Sequence, residues 1–102
     1  MADTLYNLAI LHSSLNRYDD AEGEYVEALE TYRRLSETNP DRYDSYVAST
    51  LNNLAILHSS LNRYDDAEVE YVEALSIRRR LSESNHERFD PDVANTLTSL
   101  AV

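Results

Sequence analysis

Thr4-Leu5-Tyr6-Asn7-Leu8-Ala9-Ile10-Leu11-His12-Ser13-Ser14-Leu15-Asn16-Arg17-Tyr18-Asp19-Asp20-Ala21-Glu22 returns as Thr50-Leu51-Asn52-Asn53-Leu54-Ala55-Ile56-Leu57-His58-Ser59-Ser60-Leu61-Asn62-Arg63-Tyr64-Asp65-Asp66-Ala67-Glu68, 46 residues further on. Only Tyr6 against Asn52 distinguishes the two stretches. A third copy opens at Ala94-Asn95-Thr96-Leu97 and runs to Val102. Self-similarity at such a period marks a stacked array, in which each unit buries its apolar face against the next. The repeat divides the chain into a first unit at about 2–47, a second at about 48–93 and a partial third at about 94–102, together one solenoid.

Composition sets the class of the units. Hydrophobic residues make up 42% of the chain, with one Gly and two Pro in 102 residues, too apolar for a disordered tail and too poor in turn formers for a many-stranded β fold. Apolar runs are only a few residues long, far short of the roughly 20 that cross a bilayer, and Met1-Ala2-Asp3 has no charged-then-apolar signal region. No cysteine is present, which removes disulfides, thiolate metal sites and thiol catalysis and fits a reducing, cytoplasmic setting. Nine arginines, no lysine and 19 carboxylates give a formal net charge of -10. Such a surface repels nucleic acid and anionic membranes, since both are held by cationic side chains.

The spacing predicts two helices per unit. Leu5, Leu8, His12 and Leu15, and again Val47, Leu51, Leu54, His58 and Leu61, recur at three and four residues and form one apolar stripe. Asn16 and Asn62 are placed to close these helices in the left-handed conformation. A second helix follows, with Asp19 as the expected N-cap and Glu22 three residues later. Ala21, Tyr25, Ala28, Tyr32 and Leu35 stripe its face. This helix is expected to reach Ser36 or Glu37, and Ser82 or Glu83 in the second unit, with acids early and arginines late as the helix dipole favours. A polar break is expected at Thr38-Asn39-Pro40-Asp41 and at Ser84-Asn85-His86-Glu87. Asp90 then reads as an N-cap with Pro91 at the first helical position, and Asp44-Ser45 reads as the matching start of the second unit.

These residues resemble the tetratricopeptide repeat. The first-helix pattern of that family is met by Leu5, Leu8, Ala9 and His12, its second-helix pattern by Tyr18, Ala21, Tyr25 and Ala28; the second copy matches at Leu51, Leu54, Ala55, His58, Tyr64, Ala67, Tyr71 and Ala74. Thr50-Leu51-Asn52-Asn53-Leu54-Ala55 and Pro91-Asp92-Val93-Ala94-Asn95-Thr96-Leu97 are similar to the longer-period subgroup typified by kinesin light chain. The resemblance implies an all-α, right-handed α-solenoid of antiparallel helix pairs, about two and a half repeats in five helices. The 46-residue period implies a lengthened second helix and loop, and His stands at 12 and 58 where the family uses an aromatic.

The family's binding surface is generally the concave face lined by first helices. Carried onto this chain, it comprises Tyr6, Asn7, Ile10, Ser13 and Ser14, with Asn52, Asn53, Ile56, Ser59 and Ser60 in the next unit. Asn7 and Asn53 occupy equivalent places, and a ladder of amides can donate to and accept from an extended peptide backbone. The expected role is a non-enzymatic interaction scaffold that takes a protein or peptide segment, with no cofactor. A carboxylate clamp is not expected, because the basic residues lie off the first helices.

Other recurring features have plainer explanations. His12 and His58 recur because the unit is duplicated, lie on the packing stripe, and stand about 10 Å or more apart at a helix-pair spacing, too far to share a metal ion. An enzyme or metal protein built on them is the remote reading. Arg78-Arg79-Arg80 balances the end of a helix dipole. The chain has no polar capping element, so it reads as a piece of a longer array whose ends could stack head to tail. A mainly structural, self-stacking repeat is therefore the alternative to peptide binding.

Overall fold

A computed structural model describes residues 2–84 and 86–101, with the side chains of all of these except 84–90 and 101. Among the described residues five helices follow one another: α1 (Ala2–Ser14), α2 (Tyr18–Thr38), α3 (Pro40–Ser60), α4 (Tyr64–Ser84) and α5 (His86–Ala101). Each packs chiefly on its sequence neighbours, the connectivity of an all-α repeat solenoid.

The turns within units form as the sequence predicts. Asn16 and Asn62 take φ of 60° and 62°, a conformation that costs Asn less than other side-chain-bearing residues. The helix ends before them are closed by amides, with Arg17 N reaching His12 O and Arg63 N reaching His58 O, both at 2.8 Å. Asp19 does not cap α2, which begins one residue before it; instead Arg17 precedes the helix and its guanidinium pairs with Asp20 at 2.8 Å.

Between the first and second units the expected loop is absent. Only Asn39, extended at φ -145° and ψ 72°, separates α2 from α3, and Pro40 starts α3 at a position where its missing N–H is no loss. The residues that lengthen the period thus lie in helices rather than in a loop, α2 and α3 having 21 residues each. Asp44 is no cap but a mid-helix acceptor, bonded by Ser36 Oγ and by Arg80 Nη2, the latter at 2.6 Å. Likewise α5 starts at His86, so Pro91 lies inside a helix rather than at its first position. The expectations for Asn85, the Asp90 side chain, Ala101's place on the stripe and Val102 fall outside the described residues.

Small residues sit where helices cross. Ala9, Ala21, Ala28, Ala48, Ala55 and Ala74 are wholly buried, allowing backbones to approach, and Tyr25, Tyr32, Leu51, Leu54 and Leu57 fill the space around them. Burial of each such large side chain contributes about 1.5–3 kcal/mol. The stripe is complete on α3, sandwiched between α2 and α4, and only half covered on α1. Leu54 and Leu57 are buried, whereas their equivalents Leu8 and Leu11 are 37% and 53% exposed. Leu35, at the end of the second-helix stripe, is also exposed.

Candidate functional site

The first helices α1, α3 and α5 lie side by side and leave two cavities between them. One, of about 390 Å³, is lined by Asp3, Tyr6 and Asn7 of α1, Tyr32 of α2, and Tyr46 and Ser49 of α3. The other, of about 480 Å³, lies between α3 and α5 and is lined by Ile56, Ser59, Ser60, Tyr64, Tyr71, Thr98 and Ser99. The α3 residues of the two linings, Tyr46, Ser49, Ile56 and Ser60, follow one another at helical spacing, so both cavities open on one side of α3.

The residues expected on that face divide by their surroundings. Tyr6, Asn7, Ile56 and Ser59 line the cavities. Ile10 is 41% exposed and Ser13 half-buried. Asn7 is exposed and its amide has no partner among the described residues. Asn53 is half-buried and donates through Nδ2 to the Tyr6 hydroxyl at 2.7 Å. Asn52 departs from expectation: it is buried against α5, where Thr96 Oγ1 donates to its Oδ1 at 3.4 Å. The amide ladder therefore has a free rung at Asn7, a rung occupied by a neighbouring helix at Asn53, and none at Asn52.

Around the first cavity the aromatic rings are ordered. Tyr32 and Tyr46 stack at 5.2 Å between centroids with planes 17° apart, Tyr6 meets Tyr25 edge to face at 6.0 Å, and Tyr43 tilts onto Tyr46. Such pairings add about 0.5–1.5 kcal/mol each beyond area burial. The Tyr32 hydroxyl donates to Asp3 Oδ1. Burial pushes the Tyr6 phenol up, and burial together with the neighbouring Tyr6 pushes that of Tyr25 to about 12; Tyr32 is raised further by burial and by its bond to Asp3. All three hydroxyls are therefore neutral donors and acceptors across the working pH range.

Behind Ser49 lies Arg78, only 7% exposed. Its guanidinium donates to Thr96 Oγ1 at 2.7 Å, to Ser49 Oγ at 3.3 Å and to the Asp92 carbonyl at 3.4 Å, tying α3, α4 and α5 together. Burial pulls its pKa down from the usual arginine value. Arg78 is thus not one of three dipole-balancing surface arginines, as its place in the Arg78-Arg79-Arg80 run suggests. The signal that separates it is internal: Arg78 stands where the first unit has Tyr32, which is itself buried.

The histidines hold charge partners as well as packing positions. His12 Nδ1 is 2.7 Å from Glu24 Oε1, and His58 Nδ1 is 2.7 Å from Glu70 Oε1. His58 also contacts Glu22 Oε2 through Nε2 at 2.5 Å, and Arg63 Nη1 donates to the same oxygen at 2.6 Å. These lone pairs and protons satisfy one another rather than converge on an ion. Among the described residues no group of three or more His, Cys, Asp and Glu is arranged to hold a metal, and no helix is long and apolar enough to cross a membrane. The His-to-Glu offset of 12 residues, shared by both units, is the sequence signal for these pairs.

No curated protein is similar enough to be counted as a relative. A model of the tetratricopeptide repeat matches residues 1–80, most of the chain and all of α1 to α3. With the paired helices, the alanine crossings and the first-helix face all in place, the chain belongs to the tetratricopeptide-repeat family, whose repeats generally mediate protein–protein interaction or scaffolding.

Proposed function

We propose that the face formed by α1, α3 and α5 takes an extended peptide or partner segment, as in the kinesin-light-chain-like subgroup that the sequence resembles, in a cytoplasmic setting and without enzymatic activity. The observation that supports this most is the unpartnered Asn7 amide beside a 390 Å³ cavity walled by three tyrosines. An extended backbone presents alternating N–H and C=O groups, which Asn7 satisfies together, while the rings offer apolar area to side chains. Titrating extended peptides into isotopically labelled protein tests this. Amide shifts should concentrate at the groove positions of the first helices, namely Tyr6, Asn7, Ile10, Ser13, Asn53, Ile56 and Ser59; shifts confined to the outer faces of α2 and α4 would reject the placement.

A second reading, head-to-tail stacking between copies, is favoured by one observation. The outer face of α1 exposes Leu8 and Leu11, Leu15 is exposed in the turn that follows, and His12 has one carboxylate partner where the equivalent His58 has two. A second-helix face carrying the equivalents of Glu22 and Val26 fits there. Sedimentation at several protein and salt concentrations separates the readings, since salt screens the repulsion of chains carrying -10 charges and strengthens such stacking.

A further inference from the structure

We infer that the cavity between α1 and α3 is a subsite for a basic side chain, lysine or arginine, of the peptide that the groove takes. This rests on the groove reading and adds the chemistry of the residue that is recognised. Tyr6, Tyr32 and Tyr46 wall the cavity, and Asp3 stands at its edge. Electron-rich ring faces attract a cation, and a carboxylate beside them supplies a charged acceptor for its N–H groups. Asp3 is exposed and its Oδ1 accepts from Tyr32, leaving Oδ2 without a partner among the described residues. Tyr46 is 47% exposed, so part of it remains open to an incoming chain despite its stacking on Tyr32.

The divergence between the repeat units bears on this assignment. Shifted by one period, Asp3, Tyr6, Tyr32 and Tyr46 become Ser49, Asn52, Arg78 and Asp92. In a chain otherwise duplicated almost letter for letter over its first helix and turn, the aromatic and acidic set occurs once, and its counterpart carries a buried arginine in place of a ring. Arg78 also gives the cavity a direction. Its charge lies behind Ser49, committed to Ser49, Thr96 and a carbonyl, while Asp3 lies on α1. A cationic head is thus drawn to the Asp3 wall and away from Ser49, with the aliphatic stem across the tyrosines.

The test uses blocked peptides, acetyl-Ala-Ala-X-Ala-Ala-amide with X as lysine, arginine, norleucine or glutamate, titrated into the intact chain and followed by amide shifts. The lysine and arginine peptides should perturb Tyr6, Tyr46 and Ser49 and bind at least about tenfold more tightly than norleucine, the ratio expected for roughly 1.4 kcal/mol of cation-specific attraction. Asp3→Asn should remove that preference, and Tyr46→Leu should weaken the basic peptides more than norleucine. Asp19→Asn, an equal loss of charge at an exposed position away from the cavity, should leave the preference intact. Norleucine or glutamate binding the same face as well as lysine would overturn the basic-side-chain assignment while leaving the groove reading standing, as would equal losses for Asp3→Asn and Asp19→Asn, which would indicate attraction to bulk charge. Shifts restricted to α2 and α4, or no shifts with any peptide at millimolar concentration, would overturn both.

Discussion

His58 on α3 lies between two carboxylates from different repeat units: its Nε2 is 2.5 Å from Glu22 of α2, and its Nδ1 is 2.7 Å from Glu70 of α4. Each ring nitrogen of His58 thus has a carboxylate partner of its own. The side chain is 5% exposed, and Arg63 adds a further donor to Glu22. His58 is thus a buried polar joint between the two units, beside the more exposed pairs Arg63–Glu22 and Arg33–Glu73.

Removing that joint should cost more than removing its equivalent. His58→Ala leaves two carboxylates facing a small void with a partner lost, and should destabilise the chain by about 2–4 kcal/mol, in the range for losing two largely buried hydrogen bonds. His12→Ala loses one carboxylate contact at a less covered site and should cost about 1–2 kcal/mol. Urea denaturation of both variants checks the order; equal losses would show that the Glu22 contact contributes nothing to the joint.

The two carboxyls are shifted in opposite directions. Burial raises Glu22, but the bonds from His58 and Arg63 outweigh it and hold the carboxyl below its ordinary 4.5. Its contribution is therefore complete above about pH 4.5 and is lost as pH falls through the lower folded value. Burial keeps Glu70 above 4.5 despite its bond to His58, so the stability tied to its protonated form is complete below about 4.5 and is lost as pH rises through the raised value. Glu22→Gln should flatten the decline in stability below about pH 4.5, and Glu70→Gln should remove the opposing step just above it. Thermal melts at close pH intervals read both, and identical profiles for the two variants would contradict the assignment.

Which parts of the molecule are legible in the letters follows from how local each signal is. Asn16 and Asn62 announce their turns because a left-handed residue is a local requirement, and the alanine positions announce close crossings because size alone decides them. Asn39-Pro40 reads as part of a loop but joins two helices directly. Asp44-Ser45 and Asp90-Pro91 carry the chemistry of helix starts, yet α3 and α5 begin earlier, since stacking on the preceding helix stabilises added turns that capping preferences alone do not specify. Asn52 reads onto the groove by its adjacency to Asn53; one residue turns a side chain by about 100° around a helix, and α5 takes that direction. The tyrosine cavity joins α1, α2 and α3 across more than 40 residues, a juxtaposition that periodicity within one helix does not encode.

Overpacking separates the assigned faces. Ala21 is wholly buried and Ala67 3% exposed, both on the inner stripes of second helices. Leucine at either place has no space and should cost about 1–3 kcal/mol. Ser14→Leu, at an exposed position of α1, should fall within about 0.5 kcal/mol of the parent. Comparable losses at all three would mean that the faces are misassigned.

The turns offer a backbone test. Asn62 holds φ at 62° and its Oδ1 accepts from the Tyr64 hydroxyl at 2.8 Å on an exposed surface. Asn62→Ala should cost about 1 kcal/mol, because Cβ crowds the carbonyl without the local polar compensation that Asn has. Asn62→Gly relieves the crowding at the expense of a looser unfolded chain and should be near neutral. An alanine variant as stable as the glycine one would mean that the conformation carries no strain.

Gly23 is the remaining weak point in a helix. It lies in the first half of α2, exposed, and a Cβ built there meets nothing within 4 Å. Its counterpart in the second unit is Val69, 68% exposed on α4, so a larger side chain already stands at this place in the fold without burial. Neither a positive φ nor a close approach requires glycine here; what remains is the entropy that glycine loses on entering a helix. Gly23→Ala should stabilise the chain by about 0.5–1 kcal/mol, which for a domain of this size is a rise in Tm of about 2–8 °C. Gly23→Val should gain less, because β-branching restricts its rotamer in a helix. Calorimetry on the two variants checks both the gain and its order, and a lower Tm for Gly23→Ala would show that something packs on this face of α2.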